Sequence, residues 1–336
     1  MTETHQRIVF ASRPRGQVSP DNFRLERVPV PPVGEGQVLV RNHYLSLDPY
    51  MRGRMEVSKS YATPQPLDET MVGGTVGIVE SSRHPGFAAG DPVVGMLGWQ
   101  EYGLSDGIGL RKLDTRQIPL SAYLGPLGMP GVTAWYGLRQ ICAPKAGETV
   151  LVSAASGAVG SVVGQLAKMA GCRVIGIAGG PEKCAYVTGE LGFDACIDHR
   201  QHTDIKSMAE ALKQAAPGGI DAIFENVGGV GLDAALACMN PFGRIALCGL
   251  IAGYEGGDIT LRNVRALLVM RLKLRGFIIG DHLDQWPAAL GELVPAVASG
   301  KIKYRETIAQ GLAAAPEAFI GMLRGRNFGK QLVKLV

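Results

Sequence analysis

The chain has 336 residues, 46% of them apolar and 19% charged, with a formal net charge of +4. That is length for two domains and a large core in an ordinary soluble protein. The small, dispersed charge excludes a nucleic-acid or membrane-binding face, no apolar run approaches the ~18 residues of a membrane span, and the polar Met1–Arg7 is not a secretory signal.

Residues 1 to about 125 read as β-rich. Val38-Leu-Val, Thr75-Val-Gly-Ile-Val and Pro92-Val-Val-Gly-Met are short apolar runs. Turns such as Pro31-Pro-Val-Gly and Ala89-Gly-Asp-Pro separate them. The pattern predicts an antiparallel, barrel-like domain. Asp48 and Arg52, four apart, read as a structural pair.

From about residue 125 strands alternate with helices. Thr149–Ala154 precedes a helix over 158–170, Arg173–Ala178 one over 181–190, Ala195–Ile197 one over 203–215, and Asp221–Glu225 one over 230–238. Arg244–Leu250 and Lys273–Ile279 read as later strands. Such alternation predicts a parallel, doubly wound sheet, so the fold class is α/β. A helix over Ala315–Leu323 and a strand over Gly329–Leu335 return to the first domain. The expected division is 1–125 with 305–336, and 126–304.

The run Val150-Leu-Val-Ser-Ala-Ala-Ser-Gly-Ala-Val-Gly160 is strand, tight turn, then helix. Its spacing, Ala154-x-x-Gly157-x-x-Gly160, is a dinucleotide fingerprint with alanine in first place. The backbone of Gly157, Ala158, Val159 and Gly160 and the positive end of the helix suit a diphosphate. The next strand ends at Ala178, 18 residues after Gly160. An acid there would hold a ribose 2′-hydroxyl, and Ala178-Gly-Gly stands there instead. Lys183 follows one turn into the helix and can meet a 2′-phosphate. Asn226, Cys248 and Gly249 fall at two further strand ends, where ligands of such sheets bind. Their amide and small-residue backbone suit a ribose and a carboxamide. The six cysteines form no CxxC pair and read as reduced, mostly buried thiols of an intracellular protein. His199 and His202 have no completing ligand set, so no metal site is expected.

Leu45-Ser-Leu-Asp-Pro-Tyr-Met-Arg52, Gly128-Met-Pro-Gly-Val-Thr-Ala134, Ala154–Gly160, Glu225-Asn-Val-Gly-Gly229 and Gly325-Arg-Asn-Phe-Gly-Lys330, in that order, resemble the medium-chain dehydrogenase/reductase superfamily. Within it they are similar to the zinc-free prostaglandin reductase and alkenal double-bond reductase branch, and most to bacterial NADPH-dependent curcumin reductases. The resemblance implies a Rossmann domain beside a GroES-like β-barrel domain, a cleft between the two, and a cytoplasmic homodimer whose Rossmann sheets join edge to edge through Gly243–Ile251 or Leu272–Ile279. It implies NADPH-dependent reduction of the α,β double bond of enones and enals. Lys183 would bind the 2′-phosphate. His199, in the place of a tyrosine of the animal enzymes, would donate a hydrogen bond, more strongly when protonated. Asn226, Cys248, Tyr254 and Phe277-Ile278-Ile279 would line the ribose and nicotinamide, and Asn327 would close over the cofactor. Val269 stands where some relatives carry an active-site tyrosine, so that role does not transfer.

Conjugate reduction needs a hydride at the β-carbon, a proton at the α-carbon and a donor to the enolate oxygen. Tyr50, held by the Asp48-Pro49 turn, is the candidate donor; packing of the domain interface is its structural alternative. A quinone reductase sharing the cofactor site, or a non-catalytic NADPH-binding protein, are the rival functions.

Overall fold

Strand–turn punctuation in the first third of the chain builds a mostly antiparallel sheet. The computed structural model describes residues 3–336. They divide into two compact units, one running to Leu124 and resuming at Glu306–Val336, the other spanning Gly125–Arg305.

In the first unit β1 (Thr4–Phe10) pairs antiparallel with β2 (Phe23–Pro29), Phe10 opposite Phe23. Then come β3 (Val38–Ser46), the short helix α1 (Tyr50–Arg54), β4 (Thr75–Ser82), β5 (Pro92–Gly95), β6 (Tyr102–Ser105) and β7 (Arg111–Lys112). Strand β3 is the organiser. One edge holds β4, and Val38–Arg41 of the other pair with β6. Alternate apolar residues give the sheet one dry face, where Val38, Val40, Val79 and Val93 cluster with Leu97 and Leu110. A second core is aromatic: the Phe23 ring stacks on Trp99 at 5.2 Å, and Phe319 meets Trp99 edge-on at 5.8 Å.

The second unit opens with α2 (Met129–Tyr136) and then alternates β8 (Thr149–Val152), α3 (Gly160–Met169), β9 (Arg173–Ala178), α4 (Pro181–Gly189), β10 (Ala195–Asp198), α5 (Ile205–Ala215), β11 (Ile220–Glu225), α6 (Gly229–Leu236), β12 (Met239–Leu247), α7 (Arg265–Val269), β13 (Lys273–Gly276) and α8 (Trp286–Ala298). The strands form one parallel six-stranded sheet in the order β10-β9-β8-β11-β12-β13. The order reverses between β8 and β11, the switch point at which such sheets bind ligands. Leu151, Ile175, Ile223 and Ile245 of the strands bury against Met208, Leu212 and Leu232–Leu236 of α5 and α6. The α5 helix is capped by Asp204, whose carboxylate accepts the Ser207 N–H.

The chain then returns to the first unit with β14 (Glu306–Gln310), α9 (Ala315–Leu323) and β15 (Lys330–Lys334). Strand β15 pairs antiparallel with Tyr44–Ser46 of β3 and parallel with β14. The first-unit sheet thus has seven strands and one parallel pair. Among the described residues no helix is long and apolar enough to cross a membrane.

Three expectations need correction. Asp48 and Arg52 are not partners: Asp48 pairs with Lys330 at 2.7 Å, while Arg52 pairs with Glu56 at 2.8 Å and donates to the Gly16 carbonyl. The first strand of the second unit stops at Val152, because the chain must turn before α3 and Ala154 adopts a left-handed φ of 48°. Of the two segments expected to supply a dimer edge, Gly243–Ile251 falls largely on β12, which is interior, and β13 alone is the edge on that side.

Helix α3 lies close on its neighbours because Gly164 has no side chain. A Cβ built there would fall 1.8 Å from the Phe193 ring, which is itself buried. Gly164→Ala should therefore destabilise the protein by about 1–3 kcal/mol through overpacking. An unchanged denaturant midpoint would show that the helix can slide away at no cost.

Candidate cofactor-binding site

The two central strands of the second unit are locked together where the sheet order reverses. Ser153 leaves β8 and donates its backbone N–H to the Phe224 carbonyl of β11 at 3.2 Å. Its hydroxyl donates to Glu225 Oε1 and accepts the Asn226 N–H, both at 2.8 Å. The Asn226 side-chain amide donates back to the Ser153 carbonyl at 2.8 Å. Glu225 Oε1 also accepts the N–H groups of Val227 at 2.6 Å and Gly228 at 2.7 Å. Glu225 is 1% exposed. Burial pushes its carboxyl above the usual range, and four donors, Gly228, Val227, Ser153 and Asn226, pull the other way. Ser153 and Glu225 were not singled out by sequence. Their signal was position alone, at the carboxyl ends of the two strands flanking the switch point.

From Ser153 the chain turns sharply. The Gly157 N–H closes onto the Ala154 carbonyl at 2.9 Å, and Ser161 N–H onto the Gly157 carbonyl at 3.0 Å. Gly160 sits against this turn, and a Cβ there would lie 2.4 Å from the Ala154 carbonyl oxygen. Only glycine permits that approach, as the third fingerprint position requires. Ala158 and Val159 lead into Gly160, the first residue of α3. The Ser161, Val162 and Val163 amides of α3 are taken by the Gly157 and Val159 carbonyls, so what this end presents is the turn that leads into it and the positive end of the helix dipole.

A second glycine turn lies past β9, beside a basic group. Gly179 and Gly180 make the turn into α4, Gly180 at φ 94°. A Cβ on Gly179 would fall 2.8 Å from His199 Nε2 and 3.4 Å from Arg200 Nε, and one on Gly180 3.1 Å from Arg200 Nη1. Lys183 belongs to the same group. Burial, then Arg200, draws its ammonium below the ordinary lysine value. Burial holds His199 below its ordinary 6.5 against the pull of Asp198, with Arg200 and Lys183 adding to the lowering. The ring is therefore neutral at pH 7. Asp198 frames the cluster: Oδ1 accepts the Gly180 N–H at 2.8 Å and the Arg200 N–H at 3.1 Å. Burial would raise Asp198, but these two donors hold it below the usual carboxylate range. Arg200 was missed by sequence reading, though it directly follows Asp198-His199.

The other strand ends converge on the switch point. Cys248 and Gly249 donate backbone N–H groups to the Glu225 carbonyl at 2.8 and 3.1 Å, beside Asn226. Burial pushes the Cys248 thiol up to about 12, with Glu225 adding to it. It is no nucleophile at neutral pH. Ile251 and Ala252 donate to the carbonyls of Asn226 and Val227, and Tyr254 follows in the same turn, half-buried. Phe277 donates its N–H to Leu247 but turns its ring into the core, against Phe224 and Tyr136. Ile278 is half-buried and Ile279 buried. Val269 ends α7 and is exposed.

Two candidate residues belong to the first unit. Asn327 precedes β15, its side-chain amide donating to the Gly329 carbonyl at 2.8 Å. Tyr50 opens α1, and Arg54 lies over its ring at 6.0 Å. Burial, then Asp48, raises the phenol above its ordinary 10.0, so it stays protonated. The turn that presents it is anchored from below. Lys330 Nζ bonds Asp48 Oδ1 and the Leu47 carbonyl, each at 2.7 Å, and Ser46 Oγ donates to the other Asp48 oxygen.

Comparison with known proteins places this geometry. Residues 6–113 match the family described as the N-terminal domain of oxidoreductase, and 158–294 that described as zinc-binding dehydrogenase. The chain is 47% identical to the NADPH-dependent curcumin reductase of Escherichia coli strain K12, over 99% of this chain and 97% of that protein. It is 44% identical to the NADP(+)-dependent 2-alkenal reductase of Nicotiana tabacum, over 90% and 88%. The crystal structure of CurA in complex with NADPH from Vibrio vulnificus superposes with a TM-score of 0.92 at 47% identity, covering 98% of this chain and 99% of that one. The description of the second family mentions zinc. Among the described residues no three His, Cys, Asp or Glu side chains gather as ligands, so the side chains do not fit such an ion.

Proposed function

The chain belongs to the medium-chain dehydrogenase/reductase superfamily, and from that premise we propose that it is an NADPH-dependent reductase of the α,β double bond of enones and enals. The curcumin and alkenal reductases it resembles over nearly their whole length support the reaction class. The observation that carries the cofactor is the gathering of Lys183, His199 and Arg200 around Gly179-Gly180. Two cationic side chains and an imidazole donor at one turn form the kind of group that meets a phosphate with charge-assisted hydrogen bonds. A 2′-phosphate supplies that anion, and no acid stands at the end of β9 to repel it.

When bound, NADPH supplies the hydride. The residues of this chain do the rest by holding and orienting. The turn Gly157–Gly160, at the positive end of α3, holds the diphosphate. Lys183 and Arg200 hold the 2′-phosphate, with the His199 ring as a third donor. Asn226, the backbone of Cys248 and Gly249, Tyr254 and the backbone of Phe277–Ile279 line the ribose and nicotinamide, and Asn327 covers the cofactor. The Tyr50 phenol donates a hydrogen bond to the substrate oxygen as negative charge develops there. No zinc ligand set is needed, because conjugation carries that charge to an oxygen which a phenol can meet.

The protein is also proposed to be a cytoplasmic homodimer. Its six cysteines are free thiols, which suits a reducing compartment. All four residues of β13 are exposed and its outer edge is unpaired within the sheet. Phe242, Leu268 and Leu274 are exposed at 65%, 79% and 36%. An unpaired strand edge with exposed apolar side chains beside it is covered by pairing with another strand, here that of a second copy.

Lys183→Ala and Arg200→Ala should each cost about 1.5–3 kcal/mol of NADPH binding. That is roughly ten- to more than a hundredfold in Kd by calorimetry, with NADH binding almost unaffected. An unchanged NADPH Kd in both variants would remove the basic cluster from the cofactor site. In a spectrophotometric assay an alkenal should drive NADPH oxidation faster than a quinone, and Tyr50→Phe should lower kcat by about 10²-fold with NADPH Kd unchanged. Wild-type kcat in that variant would exclude the phenol as the donor, and no acceptor-dependent oxidation at all would leave a binding protein. Sedimentation should show a dimer that Leu268→Glu with Leu274→Glu converts to a monomer; a monomeric wild type would refute the edge pairing.

A further inference from the structure

The turn that gathers the basic cluster is flanked by two thiols in contact. Cys184 follows Lys183 on α4, and Cys196 precedes Asp198 by two residues on β10. Their sulfurs are 3.2 Å apart, inside ordinary van der Waals separation, and both residues are half-buried free thiols. They line an open cleft together with Pro181, Asp198, Gln201 and His202, so a small oxidant can reach them. We propose that Cys184 and Cys196 are a modification site, a dithiol that a hydroperoxide converts to a disulfide and that thereby loosens the grip on the 2′-phosphate of NADPH. This rests on the NADPH reading above for its consequence, though not for its chemistry.

The chemistry balances with the oxidant named. The Cys184 sulfur, as thiolate, attacks the terminal oxygen of the hydroperoxide. The O–O bond breaks, an alcohol (or water, from hydrogen peroxide) leaves, and a sulfenic acid remains. The Cys196 sulfur then displaces its hydroxyl as water and the S–S bond forms. Two thiols lose two electrons and two protons, and the peroxide is reduced by two electrons. A thiol reductant reverses the step by exchange. Burial raises both thiols above their ordinary values, so contact rather than acidity selects this pair.

The consequence follows from distance. A disulfide is about 2.05 Å long, so the sulfurs must close by about 1.1 Å. The pull acts on the first turn of α4, which carries Lys183, and on the strand whose Asp198 holds the Gly180 and Arg200 amides. A phosphate held by converging charge-assisted bonds tolerates little displacement of its donors.

Trypsin gives a direct readout, because no Lys or Arg lies between Lys183 and Arg200 and one peptide, 184–200, carries both cysteines. After treatment of the reduced full-length protein with hydrogen peroxide, that peptide should lose the mass of two hydrogens and regain it with dithiothreitol. The NADPH Kd should rise at least tenfold on oxidation and recover on reduction, with NADH binding unchanged. C184S and C196S should bind NADPH as the reduced wild type does and show no peroxide effect on Kd. A peptide 184–200 that stays reduced, or only gains oxygen, while other cysteines of the chain oxidise would overturn the disulfide. A disulfide formed with NADPH Kd unchanged would overturn the coupling. Failure of the reduced protein to bind NADPH would instead sink the cofactor reading, and the peptide mass would still decide the disulfide.

Discussion

The site depends on one buried knot, the bonds by which Ser153, Glu225 and Asn226 tie β8 to β11 at their carboxyl ends. A parallel sheet hydrogen-bonds its strands up to their last residues and then releases them in opposite directions at the point of reversal. Here the release is controlled. One carboxylate oxygen gathers a hydroxyl and two amides, and one asparagine spans the gap in both directions. With those ends fixed, the glycine turn into α3 and the chain after β11 face the same crevice. Removing the acid would leave several buried donors without an acceptor, which costs far more than one hydrogen bond contributes.

The two glycine turns that follow β8 and β9 differ in make. The turn into α3 is backbone: amides and a helix end that any sequence able to make the turn would supply. The turn into α4 is surrounded by a basic group whose members come from separate stretches, Lys183 and His199-Arg200. Asp198 is an acid at the heart of this basic group, yet its oxygen is committed to two backbone amides. It sets the positions of the turn and of the arginine.

Much of this was legible because local rules and global fold agree. The strand over Arg173–Ala178 and the helix over Ala315–Leu323 have the bounds that the apolar pattern suggests. The fingerprint is legible because each of its glycines answers a local steric demand. What the sequence did not disclose is pairing across distance. Asp48 seemed matched to Arg52 by helical spacing, but its partner is Lys330, and no local rule can find a residue 282 positions away. Arg200 was hidden for a related reason: its value comes from lying over Gly180, a neighbour only once β9 and β10 are paired. Strands β1, β2, β6, β7 and β14 went unread because they are polar, short or exposed on one side, and their pairing supplies what their sequence lacks.

The Asp48–Lys330 ion pair has a temporal consequence. Both groups are almost wholly buried, and the same late strand that brings the lysine also covers Tyr44–Ser46 on one edge of β3. On the ribosome the parallel-sheet unit is complete as an uninterrupted stretch, while the earlier-made strands still await their last partner. Until β15 emerges, β3 carries unpaired backbone and a buried acid without its counter-ion. The first unit therefore cannot be completed before the second has been synthesised, although its chain begins earlier.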